Sequence, residues 1–202
     1  HFIFNCVNGI QYYVLSNKMD EVLAYLSDFS KVVRESLANA NLRAIPLEQE
    51  IDFLKSYLRL EQMRFPDKFD FNIICNSNNS TATIMFPPML VQPFVENAIR
   101  HGFMSLKKKG LLSVVFEANG KDTLKVTITD NGTGREKDHL GVDISPEDDR
   151  PHSAQITETR VRLFNTPNDS EKYKIVYTDL SENGQSNGLQ VELYLPMEKR
   201  IS

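Results

Sequence analysis

The chain has 202 residues, 41% of them hydrophobic, and a net charge of −4 with a pI near 5.6. That is enough for one large domain or two small ones with a proper core, while the acidic balance argues against nucleic acid as the main partner, because a phosphate backbone asks for a basic face. Cys6 and Cys75 lie far apart without metal-ligand spacing and read as free thiols of a reducing compartment; no apolar run is long enough to span a bilayer, and none is patterned like a signal peptide.

Residues 1–65 read as helices. In the first, Ile3, Val7, Ile10 and Val14 recur at heptad-like spacing. A second is expected from about Met19 to Ala38, with Val22, Leu26, Phe29, Val33 and Leu37 on one face. A third opens at Pro46, places Glu48 and Glu50 in its first turn where the helix dipole favours acids, and buries Ile51, Leu54 and Leu58. Short connections between such stripes predict an antiparallel helical arrangement whose apolar faces need a partner, and a homodimer is the natural expectation.

From Asp70 onward the period becomes that of strands. Phe69 to Cys75 and Thr81 to Phe86 bracket a polar turn, Leu111 to Ala118 and Leu124 to Thr129 form a hairpin, and Tyr173 to Thr178 and Leu189 to Leu195 add two strands. Helices are expected near Gln92 and from about Ser153 to Phe164. The Lys107-Lys108-Lys109 run reads as a solvated loop, and the polar, acidic stretch from Arg135 to Arg150 suits a lid. The order predicts an α+β chain in which a mixed sheet carries helices on one face.

Two stretches carry the chemistry. From Pro87 to Gly102, helical spacing gathers Leu90, Val91, Phe94, Val95, Ala98 and Ile99 on one side and Glu96, Asn97 and Arg100 on the other, with His101 at the edge. Pro93 places the helix start near Gln92, and Gly102 supplies the stop. Then Asp130-Asn131-Gly132-Thr133-Gly134 follows an alternating strand. A carboxylate at a strand end accepts a hydrogen bond from an exocyclic amine, and nearby glycines let backbone approach a flat ring.

In order and spacing the two stretches resemble the nucleotide-binding boxes of the GHKL ATPases, which include gyrase, the heat-shock chaperone ATPase, histidine kinases and MutL. His1-Phe2-Ile3-Phe4-Asn5, then Tyr57 through Phe65, then Pro87-Pro88 leading into Gln92 through Gly102, look like the successive signatures of the LytS/YehU-type sensor histidine kinases, over essentially the whole chain. The resemblance implies a helical dimerisation and histidine phosphotransfer region over residues 1–66 and a GHKL α/β sandwich that binds ATP over 67–202. It also implies Mg²⁺ on Asn97, adenine on Asp130 with Gly132 and Gly134 shaping the wall, and His1 as the phospho-acceptor.

Arg100 and His101 are placed to meet phosphates, although Arg100 at i, i+4 could equally pair with Glu96. Glu96 could orient the nucleophile or support Asn97. Where the family has a Gly-x-Gly-Leu box, this chain has Ser153-Ala154-Gln155-Ile156, so Ser153 and Ala154 are the candidates to present backbone N–H groups to phosphate. A Leu189 also stands where the family often has a Thr.

The implied partners are a second copy of the chain and a response-regulator receiver domain. Because the chain starts at His1 and not at Met, it is expected to be a fragment of a longer protein; the resemblance implies that it is the cytoplasmic part of an inner-membrane-anchored bacterial protein, touching membrane only through upstream segments. The alternative is a degenerate kinase, a dimeric scaffold or relay with weak or no nucleotide binding.

Overall fold

The structure, a computed structural model, describes residues 10, 19–76, 81–120, 122–134, 174–182 and 185–199. The expected His1, lid and Ser153–Phe164 helix lie outside the described residues, as do Ser153 and Ala154.

Within residues 19–76 two long helices come first, and the helix expected through Ile3, Val7 and Val14 lies outside the described residues. α1 runs from Met19 to Asn39 and α2 from Leu47 to Arg64, with Pro46 at the N-cap of α2 and acids in its first turn, where backbone N–H groups lack partners within the helix. They pack side by side: Arg59 reaches Asp28 through two bonds of 2.8 Å, while Gln49 lies by Arg34, Glu35, Ala38 and Asn39. Rising numbers on one helix therefore meet falling numbers on the other, so the pair is antiparallel. The short strand β1, Ile45–Pro46, sits between them in sequence.

α1 departs from the expected stripe. Val22, Tyr25 and Val32 are buried and Phe29 packs on the core, whereas Leu26 is 37% and Leu37 74% exposed. The helix carries two apolar stripes rather than one. The inner runs through 22, 25, 29 and 32; the outer runs through Met19, Leu23, Leu26 and Leu37, all exposed.

The main sheet has five strands in the order β2 (Phe69–Asn76), β4 (Gly110–Ala118), β5 (Thr123–Asp130), β7 (Gln185–Pro196) and β6 (Lys174–Glu182). β2 and β4 are parallel and the remaining pairs antiparallel, so the sheet is mixed as expected. β1, β3 (Ile84–Phe86) and β8 (Glu198–Lys199) form a small separate sheet; β3 falls within the strand expected over Thr81 to Phe86, whereas β1 and β8 escape the sequence reading, because two-residue strands show no period.

Alternation explains the layering. Leu112, Val114 and Phe116 of β4, Leu124, Val126 and Ile128 of β5, and Val191, Leu193 and Leu195 of β7 all point inward and are buried. On the other face Lys125 bonds Glu192 at 2.8 Å and lies 3.5 Å from Glu117, leaving that face polar. Leu54, Leu58 and Leu60 of α2 belong to the same hydrophobic cluster as Phe69, Val114 and Val126. One continuous core thus spans both sides of position 66.

Candidate nucleotide site

The polar constellation sits on a helix of two parts. α3 runs from Gln92 to Asn97 with Pro93 in its first turn, and a π-helical segment continues it from Ala98 to Phe103. Leu90, Val91, Phe94, Val95, Ala98 and Ile99 are all buried as the spacing predicts, while Glu96 and Asn97 are half-buried and Arg100 and His101 exposed.

The expected stop at Gly102 is overturned. Gly102 lies inside the π-helical segment, and its missing side chain serves packing instead of termination. A Cβ on Gly102 would stand 3.3 Å from Asp130 Oδ1, and one on Gly132 would stand 2.5 Å from Gly102 Cα. The two backbones therefore abut, which demands glycine at 132 and leaves a Cβ at 102 only tight room against Asp130. π-Helical turns of this kind recur at functional sites.

Further bonds join the same two segments. Thr133 N donates to Gly102 O at 3.2 Å and its hydroxyl donates to His101 O at 3.2 Å. Asn131 Oδ1 accepts from Leu111 N at 2.7 Å, fixing the loop to the start of β4. Gly134 has φ 72°, a left-handed conformation natural to glycine.

Asp130 ends β5 and is 6% exposed, with Oδ1 accepting from Gly132 N at 2.8 Å. Burial pushes its carboxyl above the usual value, and hydrogen bonds from the backbone of Gly132 and Leu189 pull it partly back. Behind it, Gly188 has φ 116°, and a Cβ there would collide with the Asp130 carbonyl oxygen.

Asp130, Gly132, His101 and Gly102 are thus brought together, and Asn97, Arg100 and Glu96 stand on the same short helix. Of the two alternatives for Arg100, the pairing is the one observed: its Nη2 lies 2.8 Å from Glu96 Oε1. Four contributors escaped the sequence reading as site residues, namely Gly102, Asn131, Thr133 and Gly188. Glycines that flank the aspartate in space but not in sequence leave no local signal.

The family model described as Histidine kinase matches residues 1–69. Among curated proteins, the Staphylococcus haemolyticus sensor protein LytS is 37% identical over 142 residues, 69% of this chain and 23% of that protein. The Staphylococcus aureus sensor histidine kinase/phosphatase LytS of strain MRSA252 is 33% identical over 167 residues, 81% of this chain and 28% of that protein. The chain thus spans about a quarter of the length of these relatives. Among solved structures, the histidine kinase domain of the Erythrobacter litoralis EL346 blue-light activated kinase superposes with a TM-score of 0.51 at 16% identity, over 87% of this chain and 72% of that one, so the fold is shared. With its GHKL-type fold and these matches, the chain belongs to the histidine kinase family, alongside sensor kinases of the LytS type.

Proposed function

We propose that the chain is the core of a two-component sensor kinase, which binds ATP with Mg²⁺, phosphorylates His1 and passes the phosphoryl group to an aspartate of a response regulator. The observation that carries this reading is the close packing of the π-helical segment on the Asp130 loop, where Gly102 and Gly132 touch. It sets a buried carboxylate beside the helix that bears Asn97, Arg100 and His101.

The residues present fit the nucleotide. Asp130 would accept the adenine amine, with Gly132 and Gly134 leaving room for the ring. Half-buried Asn97 offers a neutral oxygen of the kind that shares Mg²⁺ with phosphates. Bound Mg²⁺ would neutralise phosphate charge. Arg100 and His101 would meet phosphate oxygens, Arg100 turning from Glu96 to do so. Ser153 and Ala154 would add backbone N–H groups.

In the first transfer an imidazole nitrogen of His1 forms a bond to the γ-phosphorus as the bond to the bridging β,γ-oxygen breaks, and ADP leaves with that electron pair. The imidazole proton passes to solvent or to Glu96. In the second, a receiver carboxylate oxygen takes the phosphorus, and the imidazole leaves with the P–N electrons and regains a proton.

The exposed outer stripe of α1 fits dimerisation through the helical region over residues 1–66, with residues 67–202 as the ATP-binding part. Among the described residues no helix is long and apolar enough to cross a membrane; upstream segments would supply the inner-membrane anchor and leave this part in the cytoplasm.

Calorimetric titration with ADP and a non-hydrolysable ATP analogue, with and without Mg²⁺, tests the reading. Magnesium-dependent binding that Asp130→Asn abolishes is expected. No binding at millimolar nucleotide would overturn it in favour of a dimeric scaffold, the outcome that the Ser153-Ala154-Gln155-Ile156 departure favours.

A further inference from the structure

α2 presents Glu50, Leu54, Tyr57 and Glu61 at spacings of four, three and four, which places them on one helix face. All four are buried, with Glu50 1% and Glu61 4% exposed. Acids so deeply enclosed need compensation from what they face. Glu50 faces the segment that leads into the proposed nucleotide helix.

Glu50 Oε2 accepts from Met89 N at 2.8 Å. Met89 is one of two non-glycine residues with positive φ among the described residues, at 55°. That backbone is costly for a side-chain-bearing residue, and the bond from its N–H to the Glu50 carboxyl holds it in place. The next residues, Leu90 and Val91, lead directly into α3. Glu50 therefore fixes where that helix begins.

Glu61 lies at the other end of the stripe, about three helical turns on. Both of its oxygens lie 3.3 Å from Arg64 Nη1, and the Arg64 guanidinium sits 4.4 Å above the Phe65 ring. Burial raises the Glu61 carboxyl, Arg64 lowers it, and the charges of Glu96 and Arg100 act on it as well. The buried Tyr57 hydroxyl, pushed up chiefly by burial, feels Glu61, Glu96, Arg100 and Arg64. Two ion pairs, Glu61–Arg64 on α2 and Glu96–Arg100 on the nucleotide helix, are thus electrostatic neighbours.

Beyond the C-terminus of α2, Lys68 Nζ donates to Met104 O at 3.4 Å and the Phe69 ring stacks on Phe103 at 5.7 Å. Tied at Met89 by Glu50 and at Phe103–Met104 by the residues that follow α2, the nucleotide helix runs in the same sense as α2, which puts Arg100 toward the Glu61 end.

We propose that Glu61 and Arg64 are positioning residues for the phosphate end of the site: their pair sets the local field in which Arg100 is divided between Glu96 and a nucleotide phosphate, while Glu50 holds the helix in register. Arg64 uncompensated would compete with Arg100 for Glu96 and release Arg100 toward phosphate. Glu61 uncompensated would hold Arg100 back and repel the phosphates. Because Arg59 clamps α2 to α1 through Asp28 at 2.8 Å, the same pair gives the α1–α2 hairpin a route to the site.

This rests on the nucleotide-site reading above, and the test separates the two. Glu61→Gln and Arg64→Gln in the full chain are titrated with adenosine, ADP and a non-hydrolysable ATP analogue. Glu61→Gln is expected to tighten the ATP analogue and Arg64→Gln to weaken it, each by roughly three- to tenfold for one added or removed unit charge near several phosphate charges. ADP should follow with smaller shifts, and adenosine should not respond. The double variant, which restores the net charge, should return near the wild-type affinity.

A merely structural role would weaken all three ligands alike in both variants. That result overturns the proposal, as does an unchanged affinity for the ATP analogue. Wild-type chain that binds none of the three overturns the nucleotide reading itself and this proposal with it, whereas wild-type binding without divergence of the variants sinks the proposal alone.

Discussion

A Cβ at Gly132 would lie 2.5 Å from Gly102 Cα and 2.8 Å from Asp130 Oδ1, so Gly132→Ala must push the Asp130 loop off the π-helical turn. Overpacking of backbone against backbone costs about 1–3 kcal/mol. The expected outcome is a folded chain with a lower melting temperature and at least roughly tenfold weaker nucleotide binding, since 1.4 kcal/mol is a factor of ten. Gly188→Ala adds a strained φ of 116° to a collision with the Asp130 carbonyl, so it should destabilise more than Gly132→Ala in the same melt. Equal or smaller loss at 188 would contradict this geometry.

Asp130 also predicts a pH signature. Its folded pKa is raised above the ordinary 3.8 by burial, so the native state holds this proton more tightly than the unfolded chain. Its contribution to stability therefore falls as pH rises from the ordinary value through the raised one, and is constant above. Relative to Asp130→Asn, which cannot titrate, the wild-type chain should gain stability as pH is lowered from neutral into the carboxylate range. Denaturant melts across that range would show a constant difference if the carboxyl were not shifted. The acid at 130 was legible in the sequence because it ends an alternating strand; the glycines that enclose it from position 102 and position 188 were not, since only the folded chain brings them near.

At the scale of elements, α3 was the most legible because a wide apolar stripe and a proline give phase and start together. What the sequence did not carry is the change to π-helical winding after Asn97, which Gly102 permits by nestling against Gly132. α1 misled for a different reason. Val22, Leu26, Phe29, Val33 and Leu37 do lie near one another, but the face pressed on α2 is the neighbouring one through Tyr25 and Val32. A helix with apolar residues on two faces gives no unique phase.

That outer face makes its own prediction. Met19, at 62% exposed, and Leu23, at 60%, continue through Leu26 to Leu37 at the spacing of a coiled-coil seam. Leu23→Glu with Leu37→Glu should leave α1 on α2, because neither side chain packs there, and should convert a dimer to a monomer in sedimentation velocity. A double variant that sediments like the wild type would remove this stripe from the interface.

At the scale of the molecule, helical spacing located α2 and strand alternation located the sheet, yet neither pattern says that they share a core. Pairing β2 parallel to β4 beside it requires the chain to cross over through β3 and the nucleotide helix, a topology that strand periods do not encode. In the folded chain Leu58 of α2 is fully buried in one cluster with Phe69, Val114 and Val126. Loss of its side chain should therefore be felt on both sides of position 66. Leu58→Ala removes buried methyl groups from a close-packed interior, a change that costs about 2–5 kcal/mol. If α2 and the sheet form one cooperative unit, calorimetry should show a single lowered transition with calorimetric and van't Hoff enthalpies that agree. Two transitions, with only the first displaced, would mean that α2 unfolds apart from the sheet; the link from the α1–α2 hairpin to the nucleotide helix would then lack the rigid element it needs.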